Sequence, residues 1–184
     1  NDDDPTPTVA LSQSNPTFAE AAGTNTITAT SSATSGKGDI IVTVAVKAGG
    51  TATLTNDFTL STTTITITQG STTGTAVLTA VQDALDEPNE NITIEITGVT
   101  NATEDGTQEV TSSITDDDAT PTISFNTTAS QGAESIANAN LQVDLSAVSG
   151  QTVTVDYAVT GTATGGGSDY TLANGTLTLN AGAS

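Results

Sequence analysis

Short stretches of alternating apolar and polar residues recur along the whole chain, and turns rich in Gly, Ser and Thr separate them. The clearest are 40–46, where every second residue is Ile or Val, and 91–97, where Ile alternates with Asn, Thr and Glu. A period of two places successive side chains on opposite faces of a strand. The pattern therefore predicts an all-β fold whose strands bury one face and expose the other.

Seven strands are predicted before Asp118, and we designate them A to G. They cover residues 8–20, 26–32, 39–46, 63–68, 75–81, 91–97 and 108–115. Strand A should be interrupted at Asn15-Pro16, because proline has no N–H to donate to a ladder. Seven short strands in a segment of about 115 residues predict an antiparallel β-sandwich.

The sequence also repeats itself. The triple aspartate at 2–4 recurs at 116–118, an offset of 114 residues that places Glu20 on Glu134 and Gly36 on Gly150. Allowing a small gap, Asp57 falls on Asp169. We predict three segments: 1–5 as the end of a preceding repeat, 6–118 as a complete sandwich, and 119–184 as a partial second repeat. The second copy is truncated, since it stops before the counterparts of strands E, F and G.

The composition narrows the range of partners and chemistry. Two basic residues against 21 acidic ones give a net charge of −19, which repels nucleic acid and anionic lipid and attracts multivalent cations. No apolar run approaches the roughly 20 residues of a membrane span. Cys, His and Met are absent, which removes thiolate and imidazole chemistry and the usual zinc and copper ligands. We therefore predict no enzyme activity.

Acidic residues converge on one end of the predicted sandwich. Residues 83–90, between strands E and F, hold four carboxylates, which repel by about 1 kcal/mol per pair at 4 Å in water. If the strands alternate in direction, the ends of A and G and the C–D and E–F connections share one end. That end collects Glu20, Asp57, the acids of 83–90 and the triple aspartate 116–118. Because Ca²⁺ prefers carboxylate and carbonyl oxygens, we predict a Ca²⁺ site there; the alternative is a solvated acidic loop.

These motifs together resemble the Calx-β domain. The features are Ala-Glu at the end of strand A, Asp57-Phe58 before strand D, Asp83-x-x-x-Glu87-x-x-Glu90 after strand E, and the closing aspartates 116–118. The resemblance implies an immunoglobulin-like antiparallel β-sandwich of seven strands that binds Ca²⁺ at the end facing the next domain. The ligands that it implies are Glu20, Asp57, Asp83, the backbone carbonyl of Leu85, Glu87, Glu90, Asp116, Asp117 and Asp118.

Several acids are expected to stay outside a complete site. Gln82 and Ala84 stand where members that bind several ions carry acids, so we expect one or two ions, with Asp86 as a substitute ligand. The aspartates at 2–4 are expected to hold no ion. Glu134 and Asp169 alone are too few ligands for a Ca²⁺ site.

The resemblance also implies a biological setting, because Calx-β repeats form long arrays in bacterial surface proteins and adhesins. We therefore expect a Ca²⁺-binding structural repeat of an extracellular, cell-surface protein: an adhesin stalk, surface layer or filament. Its partners would be calcium ions and neighbouring repeats, with Ca²⁺ stiffening the junction. One alternative is a sandwich that binds a glycan or a host protein through its loops. Another is a strand-exchanging fibre subunit, unless Ser184 is only a boundary of the sequence.

Overall fold

The structure, a computed structural model, describes residues 5–183 and divides them into two compact units. The first unit comprises the chain up to Asp83 together with Pro88–Asp117, and the second comprises Ala84–Glu87 together with the chain from Asp118 onward. The aspartates at 2–4 lie outside the described residues. No helix among residues 5–183 is long and apolar enough to cross a membrane.

The first unit is an all-β sandwich of two five-stranded sheets. Its strands are β1 Thr8–Gln13, β2 Thr17–Ala19, β3 Thr24–Ser31, β4 Ile40–Val46, β5 Phe58–Leu60, β6 Thr64–Ile67, β7 Thr73–Ala80, β8 Glu90–Thr100, β9 Thr103–Glu104 and β10 Glu109–Thr115. One sheet has the order β5-β7-β3-β1-β9 and the other β2-β10-β8-β4-β6. The predicted fold class is confirmed, and the break around Pro16 sends the two halves of strand A to different sheets.

Alternation along the strands builds the core between these sheets. In β8, Ile92, Ile94 and Ile96 are buried and the residues between them are not. Phe58 in β5 is fully buried and belongs to the same apolar cluster. Burying a side chain of this size contributes about 1.5–3 kcal/mol. A core of mostly aliphatic side chains therefore stabilises the first unit, even though aromatic residues are scarce.

The polar side chain of Asn25 is fully buried within the first unit. Asn25 in β3 donates from Nδ2 to Ser112 Oγ at 2.8 Å and to Gln13 Oε1 at 3.0 Å. Its Oδ1 accepts from the backbone N–H of Asn15 at 2.9 Å. A buried amide without such partners would cost about 1–3 kcal/mol. The Asn25 network thus joins the two sheets at the break between β1 and β2.

The second unit is built from two short hairpin-like pairs. Its strands are β11 Ile123–Phe125, β12 Val143–Leu145, β13 Val153–Tyr157 and β14 Gly175–Leu179. β11 pairs with β12 and β13 pairs with β14, both antiparallel. Leu145 is buried, but Phe125, Ile136 and Leu141 are more than half exposed. The second unit therefore buries little apolar surface within the described residues.

Candidate metal centre

Two strand ends place the first pair of acids side by side. β2 and β10 are parallel neighbours, with Ala19 opposite Thr115. Glu20 and Asp116 are the next residue on each strand, and the ladder continues through a hydrogen bond from Glu20 N to Thr115 O at 2.9 Å. Parallel strands that end in register release their following side chains at the same edge. Strand pairing is therefore what brings these two carboxylates together.

Glu20 and Asp116 form an acidic cluster in the first unit. Their carboxylate oxygens lie within 4.8 Å of each other, close enough to contribute to one metal site. Glu20 is only 7% exposed. Asp116 Oδ1 is buried and has no hydrogen-bond partner. A buried anionic oxygen without a hydrogen bond is costly, and a hard cation is the natural partner for it.

The segment between β7 and β8 contributes to the same end of the first unit. The backbone N–H of Asp83 donates to Glu20 Oε1 at 2.8 Å, which fixes the Glu20 carboxylate. The side chain of Asn89 accepts a hydrogen bond from Asp116 N at 3.2 Å. Glu90 opens β8 directly opposite Ile114, two residues before Asp116. The convergence expected from alternating strand directions is therefore observed for Glu20, Asp83, Glu90 and Asp116.

The chain's only two basic side chains lie away from this cluster. Lys47 contacts Glu109 and Glu95 on the outer face of one sheet, and its hydrogen bond to Glu109 raises the pKa of Lys47 above the usual value. Lys37 lines a cavity together with Pro5 and Asn101. Lys47 therefore does not neutralise the acidic cluster, and a proton or an ion from solution could do so. Oxygen-only ligands of this kind suit Ca²⁺ better than Zn²⁺ or Cu²⁺.

Asp57, another expected ligand, has a structural role in its own loop. Its carboxylate accepts a hydrogen bond from Thr53 N, and its carbonyl accepts one from Val81 N at 2.9 Å. In the second copy, the Asp169 carboxylate accepts from Thr164 N at 2.7 Å. A carboxylate that closes its own loop by a hydrogen bond therefore occurs in both copies. Asp57 does not belong to the acidic cluster, so its role as a ligand stays a prediction.

The other predicted ligands have differing degrees of exposure. Asp83 and Asp117 are exposed, whereas Leu85, Glu87 and Glu90 are half-buried. Leu85 and Glu87 are grouped with the second unit, where the Glu87 side chain lies against Gly150. The full set of nine ligands therefore stays a prediction. Glu20 and Asp116 are the members that the first unit brings together, and Asp118 is grouped with the second unit.

Asp86 has a role that the sequence did not indicate. It is 8% exposed and is grouped with the second unit. Its carboxylate accepts hydrogen bonds from Thr120 Oγ1 at 3.0 Å and from Gln151 Nε2 at 3.4 Å. The sequence allows Asp86 as a substitute metal ligand, but both of its carboxylate oxygens are hydrogen-bonded within the second unit. Neither spacing nor charge distinguishes this acid from its neighbours in 83–90.

Comparison with known proteins identifies the family. The sequence matches the Calx-beta domain over residues 2–118 and again over residues 116–184. The chain belongs to the Calx-β family. The two matched segments fit the two copies of the internal repeat. No curated protein matches the chain.

Solved structures support the Calx-β fold. The apo form of the Calx CBD1 domain superposes with a TM-score of 0.53 at 16% identity, covering 62% of this chain and all of that domain. CBD12 from CALX1.2 gives a TM-score of 0.53 at 20% identity and covers 95% of this chain and 70% of its own. The calcium-binding domain CBD12 of CALX1.1 gives 0.51 at 20% identity, covering 95% and 71%. At these identities the likeness concerns the fold.

Proposed function

We propose that this Calx-β chain is a Ca²⁺-binding structural repeat that acts by binding the ion at one end of its first sandwich. The observation that carries the proposal is the buried Asp116 Oδ1, which has no hydrogen-bond partner and lies beside the Glu20 carboxylate. Ca²⁺ takes six to eight oxygens at about 2.3–2.6 Å. Asp83 and Glu90 lie at the same end of the first unit, and we propose them as further ligands.

The effect of the ion would be electrostatic. Without Ca²⁺, like charges repel along 116–118, where the chain passes from the first unit into the second. With Ca²⁺, the carboxylates bind one centre and the connecting chain stiffens. Because the ion binds the folded form, it adds stability according to its concentration relative to the dissociation constant. The role is structural and non-catalytic, and we place it in an extracellular, cell-surface array of a bacterial adhesin type.

Calorimetric titration of the 184-residue chain with Ca²⁺ tests the proposal. Wild type should bind at least one ion, and Asp116→Asn should weaken that binding at least tenfold, because it removes the charge at the centre of the cluster. Asp105→Asn is the matched control, since Asp105 is an exposed acid in the turn before β10. Failure of wild type to bind, or equal affinities for wild type and Asp116→Asn, would overturn the proposal.

The two alternative functions remain predictions with separate tests. A loop-based glycan-binding or protein-binding role would appear as a hit in an array screen with Ca²⁺ present. A strand-exchanging fibre would draw on the exposed Phe125, Ile136 and Leu141 of the second unit. Light scattering addresses it directly, because a strict monomer across a hundredfold concentration range excludes polymerisation.

A further inference from the structure

Glu20 reaches the acidic cluster from a tight turn that runs from Ala19 to Gly23, which we name the Glu20 turn. A hydrogen bond from Gly23 N to Ala19 O at 3.0 Å closes this turn. Glu20 N donates to Thr115 O of β10 at 2.9 Å, and Ala80 N at the end of β7 donates to Gly23 O at 2.9 Å. The backbone on both sides of the Glu20 side chain is therefore fixed to a neighbouring strand.

The position of the Glu20 carboxylate depends on this backbone. The carboxylate accepts a hydrogen bond from Asp83 N at 2.8 Å, and one of its oxygens lies within 4.8 Å of a carboxylate oxygen of Asp116. Ca²⁺ binds oxygens at about 2.3–2.6 Å, and a ligand misplaced by about 1 Å no longer contributes fully to such a shell. A change in the Glu20 turn would therefore weaken the site without altering any ligand.

Gly23 is the residue that lets the Glu20 turn close. A Cβ added there would lie 2.0 Å from Ala19 O and 2.8 Å from Ala19 N, closer than non-bonded atoms approach each other. Both of these atoms belong to the backbone, so no side-chain rotation could relieve the contact. Glycine alone permits so close an approach of two backbone segments. Any other residue at this position must open the turn and shift Glu20.

Ala22 imposes a second condition on the same turn. Its φ angle is 58°, in the left-handed region. That region is disfavoured for residues that carry a Cβ, and a β-branched residue there is an outlier. The Ala22 side chain is exposed, so packing does not dictate its size. The backbone conformation does, because it accepts alanine or glycine at this position and disfavours isoleucine.

The second copy retains the glutamate but meets neither condition. At the offset of 114 residues, Glu134 is the counterpart of Glu20, and Ile136 and Ala137 stand where the first copy has Ala-Gly. Ile136 N donates to Ala133 O at 2.9 Å, which closes a shorter turn, and Ile136 does not take the left-handed conformation. Glu134 is exposed. The same acid at the same place in the repeat therefore follows a different backbone path.

We propose that Ala22 and Gly23 are positioning residues of the metal centre, and that they determine whether a repeat can bind Ca²⁺ through the glutamate of this turn. The Ala-Gly pair holds the Glu20 carboxylate in the acidic cluster, whereas the Ile-Ala pair of the second copy does not hold Glu134 in this way. A repeat can therefore keep the acid and lose the site. The inference rests on the proposed Ca²⁺ binding by the first unit.

Calorimetric titration of the full chain with Ca²⁺ tests the inference with variants that leave every ligand in place. Gly23→Ala and Ala22→Ile, which introduce the residues of the second copy, should each weaken binding at least tenfold. Ala22→Gly keeps the turn and should bind within twofold of wild type. Gly98→Ala is the matched control, because its Cβ would lie at an ordinary distance of 3.9 Å from the Thr43 side chain, and it should bind as wild type does.

A second readout needs no ion. In chelator, amide hydrogen exchange at Asp83 reports on its hydrogen bond to the Glu20 carboxylate. Exchange at the buried Ile94 reports on the folded core of the first unit. Gly23→Ala and Ala22→Ile should each accelerate exchange at Asp83 at least tenfold while Ile94 stays protected. A purely structural role of the turn would instead alter both amides together.

The outcomes separate this inference from the proposed function. Equal Ca²⁺ affinities of wild type and a folded Gly23→Ala variant, or unchanged exchange at Asp83, would contradict the inference. Loss of protection at Ile94 in both variants would also contradict it, because the turn would then serve folding alone. If wild type itself does not bind Ca²⁺, the proposed function is refuted, and exchange at Asp83 still decides whether the turn positions Glu20.

Discussion

Replacing Glu20 by Gln should change the stability of the first unit in opposite directions with and without Ca²⁺. Glu20 is buried, and its carboxylate lies within 4.8 Å of the carboxylate oxygens of Asp116. Gln keeps the shape and can still accept the hydrogen bond from Asp83 N. The substitution therefore removes one charge while leaving the packing intact.

The magnitude follows from the separation. At 4.8 Å, one pair of like charges costs about 1 kcal/mol in a medium of dielectric constant 80 and about 3.5 kcal/mol at 20. Neutralising Glu20 removes the repulsion from Asp116, so the free energy of unfolding should rise by about 1 kcal/mol or more when a chelator is present. In Ca²⁺ at a hundredfold excess over the dissociation constant, wild type gains about 2.7 kcal/mol. The variant should lose most of that gain.

Urea unfolding followed at the amide signals of Ile92 and Ile94 reports on the first unit alone. The matched control is Glu134→Gln, the same change at the corresponding position of the second copy, where the side chain is exposed. It should leave both curves unchanged. The reasoning is refuted if Glu20→Gln is less stable than wild type in chelator, or if Ca²⁺ stabilises the two proteins equally.

Three further changes test the fold and its electrostatics. Asn25→Ala should destabilise the first unit by about 1–3 kcal/mol, measured by urea unfolding, because buried partners lose their hydrogen bonds. Gly74→Ala should cost about 1–3 kcal/mol in the same assay, since the new Cβ would lie 2.6 Å from the Thr66 carbonyl oxygen. Hydrogen bonds from Asn126 and then Gln142 lower the pKa of Asp144, so Asn126→Ala should raise that pKa in a carboxyl-carbon NMR titration. The lowered pKa stabilises the second unit above the ordinary aspartate pKa, and this contribution is lost as pH falls through the folded-state pKa.

Each of these changes has a control of the same type. Asn56→Ala and Asn140→Ala alter exposed asparagines, so the first should not change unfolding and the second should not move the Asp144 titration. Gly36→Ala adds a Cβ that meets nothing within 4 Å. A control that changes its readout as much as the test variant would show that the effect does not come from the named contact.

Strand positions were predictable because alternation along the chain directly reflects which face is buried. β5 at Phe58–Leu60 and β9 at Thr103–Glu104 were not predicted, since two or three residues are too short to show a period of two. Sequence also indicated that Glu20 and Asp116 share one end of the sandwich. It could not indicate that they are immediate neighbours, because that depends on β2 joining the edge of the sheet beside β10.

The acids of 83–90 show why counting carboxylates does not give the number of ions. The backbone N–H of Asp83 donates a hydrogen bond to the Glu20 carboxylate, which belongs to the acidic cluster. Asp86, three residues later, is buried, and its carboxylate accepts hydrogen bonds from Thr120 and Gln151 in the second unit. A buried carboxylate that is already hydrogen-bonded gains little from an ion, whereas the buried oxygen of Asp116 has no such compensation. The same residue type in one loop therefore serves two purposes, and only the partners of each oxygen distinguish a metal ligand from a docking contact.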